Sequence, residues 1–283
     1  MPKSGFVVMI GRSNVGKSTL MNTIVGSKIA ITTPKPQTTR LPIQGIITRE
    51  EGQMVFVDTP GILKGEKDLL SKRLAESVRA SLNDVDVIIY VVDPTREIGQ
   101  EEHEVMRTIA SLQKPKILVI NKIDAKIKPF LDFYRDLSQD YTATFEVSAL
   151  KGTNINHLVK KLFELLPEGE YYYPEHQLTN MSNKVWLAEL IREKLFLRLR
   201  QEVPYSTHVE VSEVEERPNG MMYIAGTIFT NDDRYKRMII GQGGRGIREI
   251  GQSTRHELEA VLNTKVFLDL TVEVDTHWMA KFG

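Results

Sequence analysis

Five short apolar runs alternate with segments of helical periodicity along the first 166 residues of the chain. They are FVVMI (6–10), MVFVD (54–58), VDVIIYVVD (85–93), KILVI (116–120) and TFEV (144–147). Strand-like runs separated by helix-length segments are typical of βαβ units, so this part predicts an α/β domain with a mostly parallel sheet. A further run, IQGIITRE (43–50), meets MVFVD across a Glu51-Gly52 turn and predicts one antiparallel hairpin within that sheet.

The rest of the chain has a different order of elements. Residues 183–201 show helical spacing of apolar side chains, and two strand patterns follow before residue 230. A short helix, a glycine loop, a longer helix and a final strand complete the order α-β-β-α-α-β, which predicts an α+β domain. Residues 168–182 have no clear period, and they predict a linker between one domain at 1–167 and another at 183–283.

Composition narrows the class of protein further. The length of 283 residues suits two domains, and 41% apolar with 26% charged residues is typical of globular proteins. The chain has no cysteine, which excludes disulfides and thiolate metal sites and favours a reducing compartment. The formal net charge is zero, which disfavours a uniformly basic nucleic-acid binder but leaves room for a local basic patch. No apolar run approaches the length of a membrane span, and we expect a cytoplasmic protein.

The first candidate site is the stretch GRSNVGKS (11–18), which directly follows a strand pattern and opens a helical one. It fits G-x-x-x-x-G-K-[ST] in the context that a phosphate-binding loop requires. The loop N–H groups and the helix N-terminus would face phosphate oxygens, Lys17 would reach the β- and γ-phosphates, and Ser18 would ligate Mg²⁺. We expect nucleotide contacts from Gly11, Arg12, Ser13, Asn14, Val15, Gly16, Lys17, Ser18 and Thr19.

A second motif, VDTPG (57–61), ends the third strand pattern. Asp58 stands where a Walker-B carboxylate holds Mg²⁺ through water, and the Gly61 amide would contact the γ-phosphate. Thr59 and Pro60 complete this nucleotide-binding turn. An Asp-x-x-Gly turn by itself is a weak signal, but its spacing behind a phosphate-binding loop makes it a strong one.

The motif NKID (121–124) indicates which base is bound. A carboxylate at Asp124 can accept from N1–H and N2–H₂ of guanine, whereas adenine offers a lone pair at N1 and no amine beside it. Asn121 would brace the loop, and the stem of Lys122 would lie along the purine face. Ser148-Ala149, after the strand pattern TFEV, would supply a backbone N–H to guanine O6, and Leu150 is expected among the nucleotide-binding residues.

Residues 31–42 lie between the phosphate-binding loop (11–18) and Asp58, and they are polar, with three prolines and no core period. Such a stretch suits a switch segment that the γ-phosphate and Mg²⁺ order and that hydrolysis releases. Thr39, or alternatively Thr38, would close on the metal ion.

These motifs, in this order over roughly residues 5–167, resemble the TrmE-Era-Der group of translation-factor-class bacterial GTPases. The shared traits are an asparagine in the phosphate-binding loop (Asn14), a Thr-Thr-Arg switch (38–40) and a hydrophobic residue after DTPG (Ile62). Ile62 cannot orient a water molecule as the glutamine of Ras-like enzymes does, so we expect slow intrinsic turnover. The resemblance implies that Asn14 helps to bind K⁺, and that Lys17, Asn14, Thr39 and Gly61 serve hydrolysis.

The stretch MIIGQGGRGIREIG (238–251) allows two interpretations. Gly241, Gly243 and Gly246 fit the G-x-G-x-x-G fingerprint of dinucleotide-binding loops, which requires a strand before it. The preceding residues DDRYKRMII have helical spacing, and no second βαβ half can follow, so we disfavour this interpretation. A solvated helix-turn-helix surface is the plain structural alternative.

The same stretch contains IIGQGGRGI, which matches the Ile-Ile-Gly-x-x-Gly-x-x-Ile core of KH domains, and α-β-β-α-α-β is their type II order. Glycines let the loop backbone approach an RNA sugar-phosphate chain closely. Between 234 and 255 the chain carries six basic residues against one acid, Glu249, which makes a local positive track. We expect RNA contacts from Lys236, Arg237, Ile240, Gly241, Gln242, Gly243, Gly244, Arg245, Ile247 and Arg248.

A GTPase domain followed by a type II KH domain is the arrangement of the Era family, and the chain is identified as a member of it by resemblance. The stretches IREKL (191–195) and EVPYS (202–206) are also similar to that family. Membership implies GTP and GDP as ligands and binding to the 3′ region of small-subunit ribosomal RNA. It also implies a role in assembly of the small ribosomal subunit and a peripheral association with the inner membrane. No obligate protein partner is evident, and we expect a monomer. The alternative is a KH RNA chaperone or scaffold whose nucleotide site is mainly structural.

Overall fold

The computed structural model describes residues 1–33, 35, 43–58, 85–199 and 203–278 of the chain. Its contacts divide the chain into two compact units, Met1–Asn180 and Met181–Gly283. The residues that were predicted as a linker up to Asn180 therefore lie within the first unit. No helix in the described ranges is both long enough and apolar enough to cross a bilayer.

The first unit is built on a six-stranded sheet in the order β2-β3-β1-β4-β5-β6. The strands are β1 (Lys3–Ile10), β2 (Ile43–Arg49), β3 (Gly52–Asp58), β4 (Val87–Val92), β5 (Lys116–Ile120) and β6 (Ala143–Glu146). Only β2 runs antiparallel to its neighbour, and every other neighbouring pair is parallel. This confirms the predicted α/β fold with one antiparallel hairpin.

The α-helices that the described residues of the first unit form are α1 (Lys17–Val25), α2 (Gln100–Ala110), α3 (Leu131–Asp136) and α4 (Ile155–Leu165). Every residue of β3 and β4 is buried, as is expected of strands that are covered on both faces. The carboxyl ends of parallel strands meet at one edge of the sheet. Residues that follow β1, β3, β4, β5 and β6 are therefore brought together there.

Residues 168–180 lie against the β2–β3 side of this sheet. The N–H groups of Tyr172 and Tyr173 donate to Gln53 Oε1 at 2.8 and 2.9 Å. The Ile46 N–H of the edge strand β2 donates to Leu178 O at 2.8 Å. The Ile46 bond satisfies a polar group of an edge strand that would otherwise be open to pairing with other chains.

The second unit packs helices against a three-stranded sheet in the order β7-β8-β9. Its elements are α5 (Asn183–Arg198), β7 (Thr207–Glu216), β8 (Met222–Thr230), α6 (Asp233–Ile240), α7 (Arg245–Leu262) and β9 (Val266–Val274). The β7–β8 pair is antiparallel and the β8–β9 pair is parallel. This confirms the predicted α-β-β-α-α-β order of a type II KH domain.

One face of this sheet is covered by the helices, and the core there includes Leu195, Ile224, Ile228, Ile250 and Leu258. Burial alternates along β8, so that every second residue points away from the helices. The outer face of the sheet is the more exposed one. It carries Glu210, Tyr223, Phe229 and Phe267.

Candidate functional site: a nucleotide pocket and an RNA-binding cleft

The phosphate-binding loop connects the end of β1 to the start of α1. Lys17 is the first residue of α1, and its Nζ donates to the main-chain oxygens of Gly11 and Arg12, each at 3.0 Å. The ammonium group therefore lies in the middle of the loop. Burial lowers the pKa of Lys17, while the charge of Asp58 opposes that shift. Because nucleotide phosphates would supply negative charge at this point, their binding favours the protonated lysine.

The predicted metal-binding residues Ser18 and Asp58 are brought together from α1 and the end of β3. The Ser18 Oγ donates to Asp58 Oδ2 at 2.6 Å, and Asp58 is fully buried. A hydroxyl and a carboxylate are oxygen ligands of the kind that Mg²⁺ prefers, with phosphate oxygens and water to complete the octahedron. The pair therefore fits the predicted magnesium site. The described ranges contain no cluster of three or more metal-ligating His, Cys, Asp or Glu side chains.

The predicted guanine-binding residues lie after β5 and β6. Asp124 is exposed, and its Oδ1 accepts from Ser148 Oγ at 2.7 Å. That hydrogen bond is the main reason why the pKa of Asp124 is lowered, so the carboxylate is charged at neutral pH. Leu150 is 78% exposed at the rim of the pocket. An exposed, ionised carboxylate at this edge can accept both N–H groups of guanine.

Asn121 joins the base-binding loop to the phosphate-binding loop. Its Nδ2 donates to Val15 O at 2.8 Å, and its Oδ1 accepts from the Ala149 N–H at 3.0 Å. The Ala149 N–H, which the sequence assigns to guanine O6, therefore already has an acceptor. A base oxygen at this position has to share that donor with Asn121 or displace it.

The KH motif forms a loop between two helices, as the RNA-binding interpretation requires. Helix α6 precedes it, and a strand before it would be needed for a dinucleotide-binding loop, so that alternative is excluded. Gly243 has φ of 58°, and no atom lies within 4 Å of the position where a Cβ would stand. At Gly246 a Cβ would lie 2.3 Å from Ile239 O, so this glycine lets α6 and α7 approach closely.

A cleft of about 670 Å³ begins at this loop. One wall is formed by Gly244 of the loop and by α7, with Ile247, Arg248, Gly251, Gln252 and Arg255, and the other is β9, with Phe267, Leu268, Asp269 and Leu270. Among the described residues β9 pairs only with β8, so the edge of the strand that faces away from β8 has no strand partner. The cleft thus combines a basic helical wall with backbone groups of a strand edge, which suits single-stranded RNA.

Most of the other predicted RNA-contact residues belong to α6 and the glycine loop, next to the cleft in sequence. Gln242, Gly243 and Arg245 are exposed, as is Arg237. Ile240 and Ile247 are half-buried and pack against the core of the second unit. Lys236 and Gly241 are also half-buried.

Comparison with known proteins agrees with both sites. The family model described as 50S ribosome-binding GTPase matches residues 6–122, and the KH domain model matches residues 202–279. GTPase Era of Halothermothrix orenii is 44% identical over 99% of this chain and 96% of its own length. GTPase Era of Carboxydothermus hydrogenoformans is 42% identical over 99% of this chain and 95% of its own. The chain belongs to the GTPase Era family.

Solved structures of this family have the same fold. A crystal structure of Era in complex with MgGDPNP and nucleotides 1506–1542 of 16S ribosomal RNA has a TM-score of 0.90 and 38% identity. The alignment spans 98% of this chain and 95% of the chain in that structure. An Aquifex aeolicus Era variant bound to GDP and AlF4⁻ also has a TM-score of 0.90, with 37% identity and the same coverage.

Two cations support the Era-type phosphate-binding loop: Arg96, which belongs to no predicted motif, and Lys122 of the NKID motif. Arg96, in the turn after β4, donates from Nη1 to Ser13 O at 2.6 Å. Lys122 donates from Nζ to Asn14 O at 2.8 Å and to Asp93 Oδ2 at 2.6 Å. Two cations therefore hold carbonyl oxygens of the loop, which aligns its peptide dipoles so that N–H groups can face the phosphates.

The guanidinium of Arg12 is also engaged outside the pocket. Its Nε pairs with Glu101 Oε2 at 3.1 Å, and its Nη1 pairs with Glu102 Oε2 at 3.3 Å and donates to Glu97 O at 2.8 Å. Glu102 is buried and also accepts a hydrogen bond from the Tyr90 hydroxyl. Contact of Arg12 with the nucleotide is thus left to its main chain, while its side chain fastens the loop to α2.

Several predicted residues cannot be placed in this geometry. Thr39, Thr59, Pro60 and Gly61, like Thr38, Arg40 and Ile62 of the predicted switch regions, lie outside the described residues.

Proposed function

We propose that this protein is a GTP-hydrolysing RNA-binding switch that binds the 3′ region of small-subunit ribosomal RNA and acts in assembly of the small ribosomal subunit. The observation that carries the proposal is the presence, in one chain, of a guanine-specific phosphate-binding pocket and a KH cleft. The Era structure that contains MgGDPNP and 16S ribosomal RNA supports both ligands.

The described residues account for nucleotide binding in a direct way. Lys17 would hold the β- and γ-phosphates, and the ionised Asp124 would select guanine over adenine. Ser18 and Asp58 would hold Mg²⁺, whose chemistry when bound is to neutralise charge on the β- and γ-phosphate oxygens. Arg96 and Lys122 keep the loop in the conformation that presents its N–H groups.

We further propose that Asn14 contributes to a K⁺ site beside the phosphates. Asn14 is exposed and adopts φ of 64°. Its main-chain oxygen accepts from Lys122, and its side-chain amide oxygen is the atom we assign to the ion. An amide oxygen is a hard ligand suited to such a cation.

The deciding experiment is GTP hydrolysis by the full chain, measured in K⁺ and in Na⁺ buffer and titrated with an RNA oligonucleotide that copies the 3′ end of small-subunit ribosomal RNA. We expect slow turnover that rises with K⁺ and rises again with the oligonucleotide. In Asn14→Ala the K⁺ and Na⁺ rates should converge, while GDP affinity stays similar. Oligonucleotide binding without any change in turnover would favour the scaffold alternative, in which the nucleotide site is mainly structural.

We also propose a cytoplasmic location and a monomeric state, which rest on the composition and motifs of the chain, and a peripheral association with the inner membrane, which rests on the family resemblance. Fractionation of cells that carry the tagged chain tests the location and the membrane association, and light scattering of the purified chain tests the monomeric state. Recovery only from the soluble fraction would contradict membrane association, and a dimer mass would contradict the monomer.

A further inference from the structure

The β9 wall of the cleft begins with an aromatic ring that lies outside the glycine-loop motif. Phe267 lines the cleft, yet it keeps 49% of its surface exposed. On the neighbouring strand β8 its register partner is Tyr223. The two ring centroids lie 5.9 Å apart, and the ring planes are inclined by only 16°. The two rings are therefore stacked nearly parallel, with an offset, on the outer face of the sheet.

The guanidinium of Arg217 packs against both of these rings. The guanidinium carbon of Arg217 lies 4.4 Å from the Tyr223 ring centroid and 5.6 Å from that of Phe267. Arg217 is held in the turn between β7 and β8, because its N–H donates to Met221 O at 2.9 Å and its oxygen accepts from the Gly220 N–H at 2.8 Å. Within the described ranges no carboxylate forms an ion pair with Arg217. Its charge is thus available to an anionic ligand.

The position of Phe267 and its two neighbours along the cleft follows from the order of the elements. The glycine loop lies at the N-terminal end of α7, whereas β9 starts only four residues after α7 ends at Leu262. Arg255 is eleven residues beyond Gly244, which is about 16 Å along a helix axis. Phe267 therefore stands at the end of the cleft that is remote from the glycine loop.

We propose that Phe267, backed by Tyr223 and Arg217, is a stacking site for a nucleobase of single-stranded RNA that leaves the cleft at this remote end. The inference rests on the proposed RNA binding and adds a subsite to it. Aromatic rings and guanidinium planes are the surfaces on which unpaired bases stack, and they accept any base because every base has a π-face. Phe267 is half exposed and lines a cleft that carries Arg248 and Arg255, so its ring is accessible where a nucleic-acid strand would run.

The test uses the full chain and the oligonucleotide that copies the 3′ end of small-subunit ribosomal RNA, with 2-aminopurine placed at one position after another. Stacking on a ring quenches the fluorescence of this base. We expect the 2-aminopurine fluorescence to be quenched at one nucleotide position next to those that the cleft binds. This quenching should be lost in Phe267→Leu. RNA affinity should fall about fivefold to 100-fold in that variant. Arg217→Gln should reduce affinity in the same direction.

Phe229→Leu is the matched control, because Phe229 lies on the same outer face of β8 but does not line the cleft. Its RNA affinity should equal that of the parent chain. An oligonucleotide with an abasic residue at the quenched position should bind the parent and Phe267→Leu equally. If the parent binds RNA and Phe267→Leu matches Phe229→Leu, the stacking site is wrong while the proposed function stands. If the parent binds no RNA at all, both are wrong.

Discussion

Asn121 donates its side-chain amide to the main-chain oxygen of Val15 at 2.8 Å, across 106 residues of sequence. This bond ties the NKID loop, which is predicted to recognise the base, to the predicted phosphate-binding loop. Asn121 is 2% exposed, so its partners are shielded from competition by water. Correct placement of one half of the nucleotide therefore depends on correct placement of the other half.

The first prediction concerns base selectivity. In Asp124→Asn the amide can donate to the C2 oxygen of xanthine and accept from N1–H, but it cannot accept both guanine donors. We expect GDP affinity to fall about 100-fold, since hydrogen bonds to a charged acceptor are lost, and XDP to bind in its place. Titration of both nucleotides measures the change. Unchanged GDP affinity without XDP binding would contradict the role of Asp124.

The second prediction is proton uptake on nucleotide binding. Burial lowers the pKa of Lys17 in the free protein below the ordinary 10.5, and phosphates would raise it again. Between these two pKa values binding takes up a proton, so GDP affinity should fall as the pH rises through that window. Calorimetry at alkaline pH in buffers of different ionisation enthalpy measures the uptake. Lys17→Arg is the control, because a guanidinium stays charged throughout and should remove the proton uptake.

The third prediction concerns the buried ion pair behind the phosphate-binding loop. Glu102→Gln should destabilise the first unit by about 2–4 kcal/mol. The change replaces the buried carboxylate partner of the largely buried Arg12 by a neutral amide, while the contacts of Arg12 with Glu101 and Glu97 O remain. Glu101→Gln is the matched control. It removes the more exposed carboxylate on the same helix, and we expect a loss of at most about 1 kcal/mol.

Unfolding in urea can assign this loss to one unit. Both tryptophans of the chain, Trp186 and Trp278, belong to the second unit. Far-ultraviolet circular dichroism reports both units, whereas tryptophan fluorescence reports mainly the second. Glu102→Gln should lower the midpoint of the first-unit transition in circular dichroism and leave the fluorescence midpoint unchanged. Equal shifts for the two glutamine variants would show that burial of Glu102 contributes nothing.

The fourth prediction separates RNA binding from hydrolysis. Gly243 has left-handed backbone geometry and open space around it, and aspartate tolerates that geometry better than most residues. In Gly243→Asp the added charge would face RNA phosphates, and we expect RNA affinity to fall at least about tenfold. GTP turnover without RNA should be unchanged. Asparagine has the shape of aspartate but no charge, so Gly243→Asn should lose less RNA affinity than Gly243→Asp. Equal losses of RNA affinity in the two variants would mean that shape rather than charge matters.

Much of the nucleotide pocket could be predicted from sequence because its motifs are local. A strand, a glycine-rich turn and a helix start stand next to one another at 11–18, and NKID directly follows a buried strand. The rule that ligands bind beyond the carboxyl ends of parallel strands then brings such motifs together without knowledge of the tertiary contacts. The order of the last six elements similarly identified the KH domain and excluded a dinucleotide-binding loop.

By itself, then, the sequence determined the two folds, the guanine nucleotide and the place of the glycine loop, because each depends on neighbouring residues or on the order of elements. Only the tertiary structure decided which side chains support these sites. Arg12 finds Glu102 across 90 residues, and Arg96 finds Ser13 across 83. Phe267 meets Tyr223 through the register of a parallel strand pair. Such contacts depend on how the helices pack and on the register of the strands, and the local sequence around each residue does not show which distant residue it contacts.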